Sequence, residues 1–216
     1  AAIDAANSDG TPIASLAELQ GVAAAATGGA AAALTTISAY AQNNGGTAPV
    51  AADYTAAGVT GIGGAGQPTV AQINAALADA DVIGTAADST AEVQGIVDAY
   101  QAILANADGT ANNATSPSAA DYTKLGVTGI DTAAELGLLG DVIDGKTAAD
   151  VATPAQIQAL ADAAAATVAY DGTNTAPTQA QLEALGVTGL TADNLAAVLA
   201  AIDAANSDGT PIASLA

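Results

Sequence analysis

Apolar residues recur along this chain at steps of three and four, the spacing of one helix face, and helix-starting and helix-ending residues interrupt them at regular intervals. The fullest stripe follows Ser89: Val93, Ile96, Val97, Tyr100, Ile103 and Leu104. It predicts a helix of about four turns, roughly 22 Å long. A thinner stripe of Ile157, Leu160, Ala164 and Val168 follows Thr153, and a thinner one still, Leu19 and Val22 before an alanine run, follows Ser15. Each of these three helices is announced by a capping box: Ser15 with Glu18, Ser89 with Glu92, Thr153 with Gln156. In such a box each side chain satisfies an orphan backbone N–H at the helix start. The Gly28-Gly29 pair is expected to break or kink the first of them, since each glycine costs about 1 kcal/mol relative to alanine, with a new helix resuming through Leu34 and Ile37.

Shorter helices precede these long ones. Pro49, Pro117 and Pro177 open three related phrases, PVAADYTAAGVTGI, PSAADYTKLGVTGI and PTQAQLEALGVTGL. Proline suits the first turn of a helix, and Gly58, Gly126 and Gly186 fit its left-handed end. The following Ile62, Ile130 or Leu190 is expected to be buried. A second helix then starts near Thr69, with Gln72 completing a capping box, and Ile73 and Leu77 continue its stripe. In the third phrase it starts at Thr191 and carries Leu195, Val198, Leu199 and Ile202. The loops NNGGTAP, NADGTANNATSP and YDGTNTAP close each group with turn-forming residues.

The groups repeat. Successive opening prolines lie 68 and 60 residues apart, and a further interval of 71 completes a period of 199. That period is visible directly, because Ala1–Ala17 and Ala200–Ala216 are the same seventeen residues. Such a repeat reads as a window on an array that continues in both directions. The expected fold is all-α, with tandem three-helix units stacked into an elongated rod. Residues 1–48 form the end of one unit, 49–116 and 117–176 are complete units, and 177–216 begin the next. Units this small sit near the lower limit for a self-sufficient core, so stacking is expected to supply much of the stability.

Composition narrows the function. Cys, His, Met, Trp, Phe and Arg are absent, Lys124 and Lys146 are the only cations, and the net charge is −20. No nucleic-acid partner is expected, since nothing could replace the counterions of phosphate, and an anionic membrane surface is disfavoured equally. The mean hydropathy of +0.38 comes largely from alanine. No uninterrupted apolar run approaches ~18 residues, so no membrane span is expected and the chain reads as soluble. The excess of Asp over Glu, 18 against 4, describes a surface kept apart by repulsion.

Chemistry has few residues to work with. Nucleophilic triads, thiolate metal sites and guanidinium phosphate clamps are excluded by composition. Paired carboxylates can hydrolyse glycosides, but Glu18 and Glu92 belong to caps, and Glu135 and Glu183 are placed near helix starts, where acids favour the dipole. No catalytic or cofactor-binding residue is expected. Calcium is the one candidate ion, weakly held. Asn106, Asp108, Thr110 and Asn112 alternate oxygen ligands as the first half of an EF-hand loop does, yet glycine falls at position four and Pro117 at position twelve. Asx turns explain such residues as well. The sequon Asn113-Ala114-Thr115 lies in the same loop.

The phrase Pro…Tyr/Leu-x-x-x-Gly-Val-Thr-Gly-Ile/Leu, followed by alanine-rich helices, resembles helical repeat regions of giant bacterial adhesins that type I systems secrete and the cell surface retains. The resemblance spans the chain through Gly58–Ile62, Gly126–Ile130 and Gly186–Leu190. It implies an extracellular extender that projects a binding domain from the cell, partnered by adjacent repeats of its own chain, with possible homotypic self-association. Two other readings stand beside it: a self-assembling extracellular filament or sheath subunit, and a module that grips a polymer or host protein along one face. Tyr40, Tyr54, Tyr100, Tyr122 and Tyr170 are too scattered to suggest the platform that last reading needs.

Overall fold

The computed structural model describes residues 3, 13, 15–111, 116–208 and 211–214. Their elements are helical throughout: α1 (Leu16–Gln42), α2 (Ala51–Ala56), α3 (Val70–Leu77), a 3-10 turn (Gly84–Ala86), α4 (Thr90–Asn106), α5 (Ala119–Lys124), α6 (Ala133–Asp144), α7 (Pro154–Ala169), α8 (Gln179–Ala184) and α9 (Leu195–Ser207). No strand occurs among the described residues. An isolated antiparallel bridge joins Asp108 to Thr147. The all-α class read from the stripes is therefore the class observed.

The order short, middle, long recurs in α2–α3–α4 and again in α5–α6–α7. Each long helix packs on the next short one, α1 on α2, α4 on α5 and α7 on α8. The middle helices lie between long ones: α3 touches α1 and α4, and α6 touches α4 and α7. The stripe after Ser89 faces inward as its spacing predicts, with Val93, Ile96, Val97, Tyr100 and Ile103 buried. Ile157, Leu160 and Ala164 do the same on α7. Small residues let helices approach closely here: a Cβ added at Gly84 would lie 2.8 Å from the Ser38 carbonyl oxygen of α1.

Helix starts follow the caps, with local departures. Boxes close at Ser15, Thr69, Ser89 and Thr132. At Thr153 only half forms: the hydroxyl accepts from the Gln156 N–H, while the Gln156 amide turns to the Thr153 hydroxyl and to the Ala149 carbonyl. The opening prolines stand two residues ahead of their helices, not in the first turn. The true N-caps are Val50, Ser118 and Thr178, in extended conformation. Thr178 accepts the Gln181 N–H, and at Val50, whose side chain offers no acceptor, the Asp53 carboxylate accepts the Val50 N–H at 2.8 Å. Thr191 likewise starts a turn rather than a helix. Thr191 and Asn194 exchange side chain–backbone bonds, and α9 begins at Leu195.

Gly28-Gly29 does not break α1, which runs through both residues. Four alanines flank the Thr-Gly-Gly step on each side, Ala23–Ala26 and Ala30–Ala33. The capping box anchors one end, and burial of Ala33, Ile37 and Ala41 anchors the other. A glycine penalty of about 1 kcal/mol each is smaller than the cost of opening a second set of helix ends. Residues Leu16–Gln42 are also long and apolar enough, by length and composition, to cross a membrane. The uninterrupted-run criterion missed this because glycine, threonine and serine break the run without lowering its mean much.

Replacing Gly28 and Gly29 with alanine should strengthen this helix, because a Cβ at either meets nothing within 4 Å. Amide exchange across Thr27–Ala33 should slow by about fivefold per substitution; faster exchange would mean that the glycines relieve a strain. A second comparison tests the short-helix exits. Gly126 and Gly186 have φ of +82° and +99°, but only at Gly126 would a Cβ strike a neighbour, the Asp79 side chain. Alanine should cost about 1–2 kcal/mol at Gly186 and clearly more at Gly126, read by denaturant unfolding.

Candidate functional site

The most repeated constellation is the loop after each short helix. Gly58, Gly126 and Gly186 turn the chain left-handed, and their N–H groups bond to Thr55, Thr123 and Glu183 carbonyls. The next N–H, from Val59, Val127 or Val187, returns to the carbonyl of Tyr54, Tyr122 or Leu182. This closes the helix end. It also seats Tyr54, Tyr122 and Leu182 in the core, all three buried. A second left-handed glycine follows at Gly61, Gly129 and Gly189.

Between the two glycines the threonine backbone is left pointing outward, and a glutamine from the long helix takes it. The Gln94 amide accepts the Thr60 N–H at 2.9 Å and donates to the Thr60 carbonyl at 3.2 Å. The Gln158 amide does the same with Thr128, at 2.8 and 3.1 Å. Each amide also donates to a carboxylate one turn on, Asp98 at 2.8 Å and Asp162 at 2.6 Å. The clamp ties a long helix to a loop more than two dozen residues earlier. It was not foreseen, although the signal was present: Gln94 and Gln158 each stand five residues after their cap, and Gln20 stands five after Ser15. Gln20 and Thr188, the third pair by position, are both exposed.

Asparagines make a second set of ties, between the end of a long helix and the middle helix beyond it. Asn44 donates to the Asp79 carbonyl, Asn106 to Gly140, and Asn206 to Thr167 and Tyr170. Tyr100 donates to the Val151 carbonyl, and Tyr54 donates to Asn74, whose amide donates to the Pro49 carbonyl. Burial pushes the Tyr54, Tyr100 and Tyr122 phenols far above their ordinary range, so they serve as neutral structural groups.

The calcium candidates do not share one role. Asn106 is buried, its amide nitrogen bonded to Gly140 and its carbonyl oxygen without a hydrogen-bond partner. Asp108 accepts the Thr110 N–H at 2.8 Å, an Asx turn. Asn112 lies outside the described residues, as does the sequon at Asn113–Thr115. No group of three or more acidic residues placed to hold a metal occurs among the described residues. Of the glutamates, Glu18, Glu92 and Glu135 cap helices. Glu183 departs from its expected place. α8 is only six residues long, so Glu183 falls in its last turn, where Gln179 donates to it at 2.8 Å.

A groove of about 500 Å³ lies between Val82, Glu92, Ile96 and the α5 residues Thr123 and Lys124. Lys124 faces Asp121 at 3.6 Å. Burial pushes the Asp121 carboxyl up, but the Ser118 hydroxyl and N–H and the Lys124 ammonium together hold it below the usual range. The exposed carboxylates of Asp150 and Asp171 are held low by the hydroxyl and N–H of Thr147 and of Thr173. These acids are turn and cap acceptors. No protein-family model, curated protein or solved structure matches the chain.

The clamp and the caps can be tested separately. Gln94→Ala leaves the Thr60 N–H and carbonyl to water, and should cost about 1–2 kcal/mol in denaturant unfolding. Asp121, whose folded carboxyl titrates below its unfolded value, adds stability above the ordinary carboxylate range near pH ~4 and loses it as pH falls through the folded value. Asp121→Asn should therefore lower the melting temperature at pH 7, with the difference shrinking on acidification.

Proposed function

We propose that this chain is a structural spacer, a stalk segment of a large extracellular cell-surface adhesin that holds a binding domain away from the cell and carries no catalysis of its own. The observation that supports it is the recurrence of one mechanical joint. The left-handed loop, the glutamine clamp and the asparagine tie appear in the same order at successive groups of helices. Polar side chains that would otherwise be available for chemistry are engaged in holding helix ends. On this reading 49–116 and 117–176 are complete three-helix units, 1–48 and 177–216 are parts of neighbouring ones, and the units stack into an elongated rod.

Acidic charge suits such a stalk, because parallel copies on a surface repel one another. The adhesin assignment itself draws on the resemblance of the Gly-Val-Thr-Gly phrases to secreted adhesin repeats. A filament or sheath subunit is the second reading, favoured by the apolar residues left exposed on α1, Leu16 and Leu19. Solution scattering of the chain at several concentrations tests the two. A monomer with the profile of an extended rod supports the spacer; lengthening with concentration moves the balance to the filament; a compact sphere overturns both.

A further inference from the structure

The three asparagine ties are not equally durable. Asn106 is buried and precedes Ala107, and Asn206 is half-buried and precedes Ser207. Asn44 is exposed and precedes Gly45, the one Asn-Gly pair in the sequence. A side chain on the following residue hinders attack of that residue's backbone nitrogen on the asparagine amide carbon. Glycine has no side chain and leaves the approach open.

Asn44 also holds two helix ends at once. With φ of +50° it is the only non-glycine residue with positive φ among the described residues. It closes α1: its N–H donates to the Ala41 carbonyl, and the Gly45 N–H donates to the Tyr40 carbonyl at 3.0 Å, the paired bonds of a Schellman end. Its side-chain amide donates at 2.9 Å to the carbonyl of Asp79, two residues past α3. While this joint is closed, the would-be nucleophile (the Gly45 nitrogen) and the would-be leaving group (the Asn44 amide nitrogen) are both held by carbonyls.

We infer that Asn44 is a self-modification site, which deamidates through a cyclic imide when the joint between α1 and α3 opens. The Gly45 nitrogen bonds to Cγ of Asn44, the Cγ–Nδ2 bond breaks, and the proton from Gly45 leaves with the amide nitrogen as ammonia. Water then opens the five-membered imide at either carbonyl. One product is aspartate at position 44; the other is isoaspartate, in which the main chain runs through the former side chain. The net reaction consumes one water and releases one ammonia, and it adds one negative charge to the −20 of the chain.

Neither product can remake the tie. Aspartate tolerates the left-handed turn but presents an acceptor to the Asp79 carbonyl, where a donor stood before. Isoaspartate also lengthens the main chain by a methylene inside the turn, so the bonds to Ala41 and Tyr40 no longer both close. Loosening therefore falls on one joint of the series, while those at Asn106 and Asn206 persist. The inference concerns the chemistry of this joint alone, so it stands or fails independently of the spacer reading.

The closed joint occupies both reacting nitrogens, so the native rate is the unfolded-chain rate multiplied by the open fraction. Three hydrogen bonds hold it, each of modest net strength. The native chain should thus react about ten- to a hundredfold more slowly than the same chain unfolded in urea.

Both samples are incubated in one mildly alkaline buffer, and peptic peptides are read by mass spectrometry for a gain of one mass unit, with released ammonia measured in parallel. The gain should appear at Asn44 before any other asparagine, and a methyltransferase selective for isoaspartyl carboxylates should label the same peptide. Asp-Gly pairs such as Asp108–Gly109 lose and regain water by this route without a change in mass, so they leave the reading clean. Ile37→Ala hollows a fully buried contact near the end of α1 and should raise the native rate by about tenfold or more, leaving the unfolded rate unchanged. Sub-denaturing urea should accelerate the wild-type chain in the same sense. Asn44→Gly keeps the left-handed turn and releases no ammonia from this site. It should speed amide exchange at the ends of α1 and α3 by about fivefold, as deamidation itself does. The inference fails if folded and unfolded chains react equally fast, or if another asparagine reacts first. It fails equally if neither Ile37→Ala nor sub-denaturing urea moves the native rate.

Discussion

The structure depends on pairing a side-chain amide with a backbone left open by a left-handed turn. After each short helix a glycine with positive φ reverses the chain, and the next residues can no longer continue the helical ladder. The threonine between the glycines presents one N–H and one carbonyl at the spacing of a single glutamine amide, which has one acceptor and two donors. Gln94 and Gln158 use both faces of that amide on the loop and their remaining N–H on a carboxylate. A long helix is thereby held to the preceding loop in one register, and burial of Val93 and Ile157 immediately beside the clamp follows from that register.

Such ties matter because alanine makes a thin core. An alanine side chain offers little area to bury, so the apolar driving force per turn is small. Close approach compensates in part, as at Gly84 against α1 and at Gly140 against Ser116. The buried tyrosines supply the larger volumes, with Tyr54 and Tyr100 anchored by hydrogen bonds from their hydroxyls. Hydrogen bonds of this kind contribute modestly to net stability but are costly to leave unmade. Specificity of register therefore comes from polar side chains at helix ends more than from interlocking apolar ones.

Much of this was legible in the order of residues. The stripes after Ser89 and Thr153 and the caps at Ser15, Thr69 and Ser89 are local signals, complete within one or two helical turns, and the structure realises them. What was missed is non-local or cumulative. Gln94 on a helix surface looks like any solvated residue until the loop more than thirty residues earlier is placed beside it. The continuity of α1 through Gly28-Gly29 is decided by the sum over its neighbours and anchors, which a glycine pair alone does not reveal. Asn106 reads as a loop ligand from its spacing with Asp108 and Thr110. It closes α4 instead, and its amide is buried against the α6 backbone.

The same distinction bears on why one surface of this chain is apolar. On a lone domain, a helix as bare as the first half of α1 would suggest a membrane or an unrelated partner, and by length and composition α1 does meet the criterion for a span. The repeat supplies a more economical cause. The positions at the same offsets from the cap are buried on the other two long helices, as Val93, Ile96, Val97 and Tyr100 on α4 and as Ile157, Leu160, Ala161 and Ala164 on α7. A glutamine would be a poor choice at that stripe's edge if lipid were its intended surroundings, since its amide would have no partner there. At the edge of a protein contact it meets a backbone of matching geometry, as Gln94 and Gln158 do. The exposed amide of Gln20 is therefore the residue that separates the two explanations.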